Sequence, residues 1–309
     1  MTETLKKGIS WLAGIVALVA IVWYFRPQGF VDSLISVGVA GVGAWCALTV
    51  IARLVLARTT VEPVNALGYP FKLADAFWIG WLRTFANQIV PMSGVAAYVK
   101  LLRARTDISW SEVAALATPQ FVLAAAALSL IGLAAVASNF LSMRSSAFWL
   151  AVMYGAILVV TLVIAKGGAR LLKRLPAMLS AKVASVGDAL RKFATHPGLI
   201  TRLVVYHVVV IVLRGGRLWV LFAATGFNLE WQQMLMVLAV AESSLLIQLT
   251  PGGMGVREAA VLGGAALVGI SPDAAVGVAL IDRLFMIGIT VVFAAPAAMI
   301  LSSNQQIDN

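Results

Sequence analysis

Residues 113–143, VAALATPQFVLAAAALSLIGLAAVASNFLSM, hold no charged side chain over 31 positions. A helix rises about 1.5 Å per residue and the hydrocarbon core of a bilayer is about 30 Å thick, so roughly 20 such residues suffice to cross it. Uncharged runs of the same kind extend from Gly8 to Phe25, Ser33 to Ala52, Ser145 to Ala165 and Leu284 to Gln306. In hydrocarbon the backbone must pair with itself, which leaves helices and closed barrels. Barrel strands alternate over about ten residues, and these runs do not alternate. The sequence therefore predicts an all-α, polytopic integral membrane protein of about six to eight spans, with residues 1–309 forming a single transmembrane domain.

Composition supports this. Of 309 residues, 61% are hydrophobic and 12% charged, far from the balance of a soluble domain. The net charge of +10 sits between the apolar runs, so it is read as membrane topology and no nucleic-acid partner is expected. The first run lacks a small-residue cleavage site after Phe25 and is expected to be retained. Cys46 is the only cysteine and falls in an apolar run, which excludes a disulfide within the chain and argues for a packing role.

Cationic residues accumulate on cytoplasmic flanks. Lys6 and Lys7 precede the first run, and Arg53, Arg58 and Lys72 follow the second, with Arg26 alone between them. The gap with Arg103 and Arg105 is then cytoplasmic, the Arg144 gap external, and the connector 166–202 cytoplasmic, with eight Lys or Arg against Asp188 alone. The expected setting is a bacterial cytoplasmic (inner) membrane crossed several times, both termini inside. Within the connector, Leu172, Leu175, Leu179, Val183, Val186, Leu190 and Phe193 recur at helical spacing among Lys and Arg. That pattern suits a basic amphipathic helix on anionic lipid, and equally a positively charged topology determinant.

Two apolar segments are broken at their centres. Residues 73–102 contain Pro91-Met92-Ser93-Gly94, and 232–270 contain Pro251-Gly252-Gly253-Met254-Gly255. Each half is short for a span, and Pro and Gly interrupt helices, so each segment is expected to be a re-entrant helical hairpin. Asn87-Gln88-Ile89-Val90-Pro91 resembles Ile247-Gln248-Leu249-Thr250-Pro251, and Ile108-Ser109-Trp110-Ser111 resembles Ile270-Ser271-Pro272-Asp273. Residues 73–140 and 232–301 thus read as degenerate repeats, inverted if the loop charges set the topology, as in many transporters.

Charges within spans are expensive, about 2.5–3.5 kcal/mol for an Arg at a helix centre on insertion scales. Arg214 and Arg217 fall inside the run from about Leu203 to Phe227, with His207 two turns earlier on the Arg214 face. His207 is more simply a packed imidazole. Glu242 lies in the second hairpin, Arg257 and Glu258 follow its glycine turn, and Asp282 and Arg283 lie in the last run. These seven are expected to form one buried polar cluster with one surplus positive charge, suited to an anionic head group; the alternative is mutual pairing that fixes helix register. Pro251, Gly252, Gly253 and Gly255 would place a helix N-terminus at depth, where unpaired amides and the helix dipole attract phosphate. Gln248 joins the polar set, and Asn87, Gln88, Pro91, Gly94 and Lys100 form the corresponding tip of the first hairpin. No nucleotide loop, metal site, cofactor or catalytic constellation is expected.

The run Pro251-Gly-Gly-Met-Gly-Val-Arg-Glu-Ala-Ala260, followed by Ile270-Ser271 and Asp282-Arg283-Leu284, resembles the signature of the lysylphosphatidylglycerol synthase transmembrane, or flippase-like, family. The resemblance covers nearly the whole chain and implies a lipid-translocating or lipid-handling module, of the kind found in the membrane half of the bacterial multiple-peptide-resistance protein. Relatives are associated with aminoacylated phospholipids, hopanoids and lipid-linked glycans. Two departures stand out. Gly94 is followed by Val95 where the family usually carries Glu, with Lys100 the nearest cation. The soluble aminoacyl-transferase domain is not found, so lysyl transfer is not expected.

The leading expectation is a lipid flippase rather than an enzyme, moving an anionic or zwitterionic lipid such as a phospholipid, aminoacyl-lipid or polyprenyl- or hopanoid-type lipid between leaflets. A secondary transporter of a small anion and an intramembrane lipid-modifying enzyme are the alternatives. Membrane lipids are the expected partners, with a lipid-synthesising enzyme or further copies of the chain as protein partners.

Overall fold

The computed structural model describes residues 19, 23, 30–90, 93–165, 197–246 and 250–303. Nearly all of the first expected span, the amphipathic stretch 170–195, Pro91 and Gln248 lie outside the described residues. The described residues form ten α-helices and no strand. These are α1 (Phe30–Ser36), α2 (Gly38–Ala66), α3 (Leu73–Ile89), α4 (Ser93–Thr106), α5 (Trp110–Ser138), α6 (Phe140–Ala165), α7 (Pro197–Ala224), α8 (Trp231–Ser243), α9 (Val256–Leu267) and α10 (Pro272–Ser303). Among them α2, α5, α6, α7 and α10 have the length and apolarity to cross a bilayer. The chain is thus all-α and polytopic, as its apolar runs require.

Apart from the seven-residue α1, the shorter helices come in two pairs. α3 and α4 have 17 and 14 residues, α8 and α9 have 13 and 12. At about 1.5 Å per residue they reach roughly 18–26 Å, short of the ~30 Å hydrocarbon core. Within each pair the two arms pack side by side as a helical hairpin.

The order long helix, hairpin, long helix therefore occurs twice, as α2, α3–α4, α5 and as α7, α8–α9, α10. The matching tetrapeptides fall at the same place in both, because Ser109 immediately precedes the first turn of α5 and Ser271 that of α10. Packing follows the same scheme: α2 lies against α7, α10 against the α3 arm, and α5 against the α8 arm. Each half lends its last long helix to the hairpin of the other. Helix α6 stands between the halves in sequence and packs on α5.

In lipid, helices gain little from burying apolar surface against each other, so close contact depends on small residues at the crossings. Gly264 is such a position: a Cβ there would stand 2.9 Å from the Cα of Val237, so α9 meets the backbone of α8 directly. Gly215 of α7 and Gly132 of α5 likewise accommodate Leu238 and Tyr154. Polar ties fasten the ends. Arg105 at the end of α4 donates to the Leu301 carbonyl near the end of α10 at 2.8 Å and lies 3.6 Å from Asp75. Glu62 binds Arg202 and Tyr206. Tyr69, between α2 and α3, donates to Glu112 at the start of α5, and that hydrogen bond to a carboxylate holds its phenol above the ordinary pKa.

Candidate functional site

The turn before α9 can be built only with glycine at several points. Gly252, Gly253 and Gly255 have φ of 56°, 71° and 79°, a left-handed region that costs other residues roughly 1–2 kcal/mol. The chain then enters α9, whose third residue, Glu258, reaches back to accept the Gly255 N–H at 2.7 Å. The same carboxylate, 1% exposed, accepts from Arg283 Nε at 2.6 Å and Nη2 at 3.2 Å. Arg283 also donates to the Gly252 carbonyl at 2.9 Å. The turn is thereby fastened to α10. One of the amides expected to receive a phosphate is already taken by Glu258, an internal carboxylate standing where the anion was anticipated.

Beside this pair lies a larger network. Glu242 of α8 accepts from Arg214 of α7 at 2.8 Å and from Arg257 of α9 at 3.3 Å. Asp282 of α10 lies 2.8 Å from Arg217 Nε and 3.6 Å from Arg257 Nε, and accepts the indole N–H of Trp45 of α2 at 2.9 Å. Arg217 further rests over the Trp45 ring, 4.9 Å from its centroid. Glu242 and Asp282 are 2% and 3% exposed. All seven anticipated charges are therefore ion-paired and gathered in one region, in two groups that adjoin at Arg257-Glu258 and at Asp282-Arg283. Burial explains the gathering, because a lone charge in a low-dielectric interior is far costlier than a paired one. Four arginines against three carboxylates leave the cluster one positive charge. Arg257 Nη2 is buried and meets no hydrogen-bond acceptor among the described residues.

The first hairpin is held by its own side chains. Asn87 accepts the Gly94 N–H at 2.7 Å, and Ser93 donates to the carbonyls of Ala86 and Val90. Gly94 is obligatory there, since a Cβ would fall 2.2 Å from the Arg83 carbonyl oxygen. Gln88 points to the other half: its amide lies 3.4 Å from Thr290 Oγ1 of α10, and a Cβ on Gly252 would stand 3.4 Å from its Cγ. The turn before α9 thus packs against α3. Lys100 is exposed on α4 and makes no ion pair with the described residues.

Sequence reasoning missed a second set of residues. Arg53 had been placed in a loop after the second apolar run, yet α2 continues through Ala66 and carries Arg53 near its middle. Its guanidinium lies 4.8 Å from the centroid of the fully buried Trp81 ring on α3, and Trp81 stacks on Phe293 of α10. No carboxylate pairs with Arg53 among the described residues. The charges that act on it are those of Arg214, Arg83 and Arg217, all cations. The Trp81 indole N–H, also buried, finds no acceptor among the described residues. The signal in the sequence was the spacing Trp45, Thr49, Arg53, which puts three polar-capable side chains along one helical stripe. His207 is buried on α7, and its Nε2 has no partner among the described residues.

A family model described as Lysylphosphatidylglycerol synthase TM region matches residues 10–294. No curated protein and no solved structure matches the chain. The matched region takes in every residue of the charged cluster, and the multi-pass helical chain belongs to the lysylphosphatidylglycerol synthase transmembrane-region family.

Proposed function

We propose that this protein is a lipid translocase of a bacterial cytoplasmic membrane, which moves a lipid between leaflets by sheltering its polar head in the charged cluster while its tails stay in the bilayer. The observation that carries the reading is the cluster itself. It joins α7, α8, α9 and α10 at a broken-helix turn, keeps one surplus positive charge, and leaves a buried donor of Arg257 without an acceptor among the described residues. Charges placed so expensively are retained where a polar guest must cross.

Two short hairpins in a twofold scheme support alternating access. If α3–α4 and α8–α9 enter and leave on one side and the connector 166–196 does not cross, α5 and α6 alone among the described helices cross between α2 and α7, so α2 and α7 run in opposite directions and the halves are inverted. Rocking of one half against the other then exposes the cluster first to one leaflet and then to the other. The contact of the turn before α9 with Gln88 of α3 is where the halves part.

The test is reconstitution into liposomes containing fluorescent phospholipid, polyprenyl-phosphate and aminoacyl-lipid probes, with dithionite quenching of the outer leaflet. Protein-dependent loss of the protected signal is expected for at least one probe, and Arg257→Gln is expected to abolish it. Absence of movement for every probe would overturn the proposal, and saturable uptake of a water-soluble anion in its place would favour a small-anion transporter.

A further inference from the structure

Arg53 is a cation that no carboxylate answers among the described residues. It sits near the middle of a membrane-length helix, rests on Trp81 at 4.8 Å, and feels the repulsion of Arg214, Arg83 and Arg217. Around the single surplus charge of the ion-paired cluster, Arg53 and Arg83 add two more. Arg83 lies exposed on α3 against the Tyr98 ring at 5.3 Å, and Arg214 keeps a quarter of its side-chain surface exposed although paired with Glu242. The flank of α2 that packs against α3 and α7 is therefore strongly positive.

A second observation lies beneath it. The Trp81 indole N–H is fully buried with no acceptor among the described residues, and buried donors without acceptors are rare in native proteins. An uncompensated guanidinium and an unsatisfied N–H belong to the same pair of side chains. What both lack among the described residues is a hydrogen-bond acceptor, and for Arg53 a charge of opposite sign.

We propose that Arg53, with Arg83 and Arg214 beside it, seats the phosphate of a lipid whose head group is net negative, a refinement that rests on the translocase reading above. A phosphate monoester carries about −1.5 to −2 charge near neutral pH and offers acceptor oxygens only, and the planar fork of a guanidinium matches two of them. Such a guest offsets most of the surplus charge. A zwitterionic head leaves that charge in place, and an aminoacylated head with added ammonium groups meets arginines of like sign. The site thus selects for phosphate-terminated lipid and against cationic lipid.

The experiment is binding to the purified full chain in detergent, read as the shift of the thermal unfolding midpoint on titration with dioctanoyl phosphatidate, dioctanoyl phosphatidylcholine or inorganic phosphate. Phosphatidate is expected to stabilise and phosphatidylcholine to have little effect. Arg53→Gln should weaken phosphatidate binding roughly tenfold to a hundredfold, the range for losing one charge-assisted hydrogen bond, with Arg53→Lys recovering part of it. Trp81→Phe, which keeps the ring and removes the N–H, should weaken binding less and serves if Arg53→Gln does not fold. An Arg53-dependent shift with inorganic phosphate alone, equal to that with phosphatidate, supports the anion site with a free anion as its occupant. Equal stabilisation by phosphatidate and phosphatidylcholine, or phosphatidate binding unchanged in both variants, overturns the proposal. Because binding is read without transport, a protein that moves lipid but ignores Arg53 refutes this inference alone, whereas one that binds phosphatidate through Arg53 and moves no lipid refutes only translocation.

Discussion

Asp282→Asn is the most informative single perturbation of the cluster. Asp282 is 3% exposed and gathers Arg217 at 2.8 Å, Arg257 at 3.6 Å and the Trp45 N–H at 2.9 Å, so α2, α7, α9 and α10 meet on one carboxylate. The amide keeps the volume and one acceptor but removes the charge. Arg257 retains Glu242 at 3.3 Å, whereas Arg217 loses its only ion pair among the described residues and becomes an uncompensated buried cation. Breaking a buried pair in this way costs about 3–5 kcal/mol, a factor of roughly 10² to several times 10³ in the folding equilibrium. Equilibrium unfolding in mixed detergent micelles, followed by the fluorescence of the nine tryptophans, measures the loss. Arg217→Leu combined with Asp282→Leu removes both charges and should recover most of the stability, less about 1–3 kcal/mol for the Trp45 N–H left without its acceptor. Transport should stay lost in the double variant. An Asp282→Asn protein as stable as the parent, or a double variant no better than the single one, would refute the claim that this pair is held by burial rather than by water.

Gly264→Leu should disrupt the second hairpin, since even a Cβ would approach Val237 Cα to 2.9 Å; overpacking of about 1–3 kcal/mol is expected, read as a lowered unfolding midpoint. Gly252→Ala should slow lipid movement while the protein still folds, because it adds roughly 1–2 kcal/mol of backbone strain at φ 56° and places a methyl group 3.2 Å from Arg283 Nη1; unchanged scrambling kinetics would count against the turn as a working part. Single cysteines introduced at Gly68 and Asp107, in a Cys46→Ser background, should label from one face of the membrane, and cysteines at Gly226 and Gly269 from the opposite face. Labelling of all four from one side would rule out the inverted arrangement.

Much of the fold was legible because hydrocarbon imposes simple rules. Runs such as 113–143 had to be helical, and Pro91 to Gly94 and Pro251 to Gly255 had to interrupt helices too short to cross. Arg214, Arg217, Glu242, Arg257, Glu258, Asp282 and Arg283 could be assigned to one cluster by the same reasoning, as isolated charges there are too costly. The position of Arg53 escaped, because a hydropathy run stops at the first charge whereas a helix stops where its hydrogen bonds and packing end.

By itself, then, the sequence determined the solvent this chain lives in, its helical class, the two apolar segments broken by Pro and Gly, and the set of charges too costly to leave unpaired. Only the tertiary structure decided who pairs with whom: Trp45 with Asp282 across 237 positions, Glu258 with its own helix start, Gln88 with the other half, and Arg53 with an aromatic ring in place of an acid. The reason is physical. The cost of a polar group in lipid depends on its type and depth and can be read along the chain, whereas the partner that offsets that cost depends on how helices distant in sequence cross.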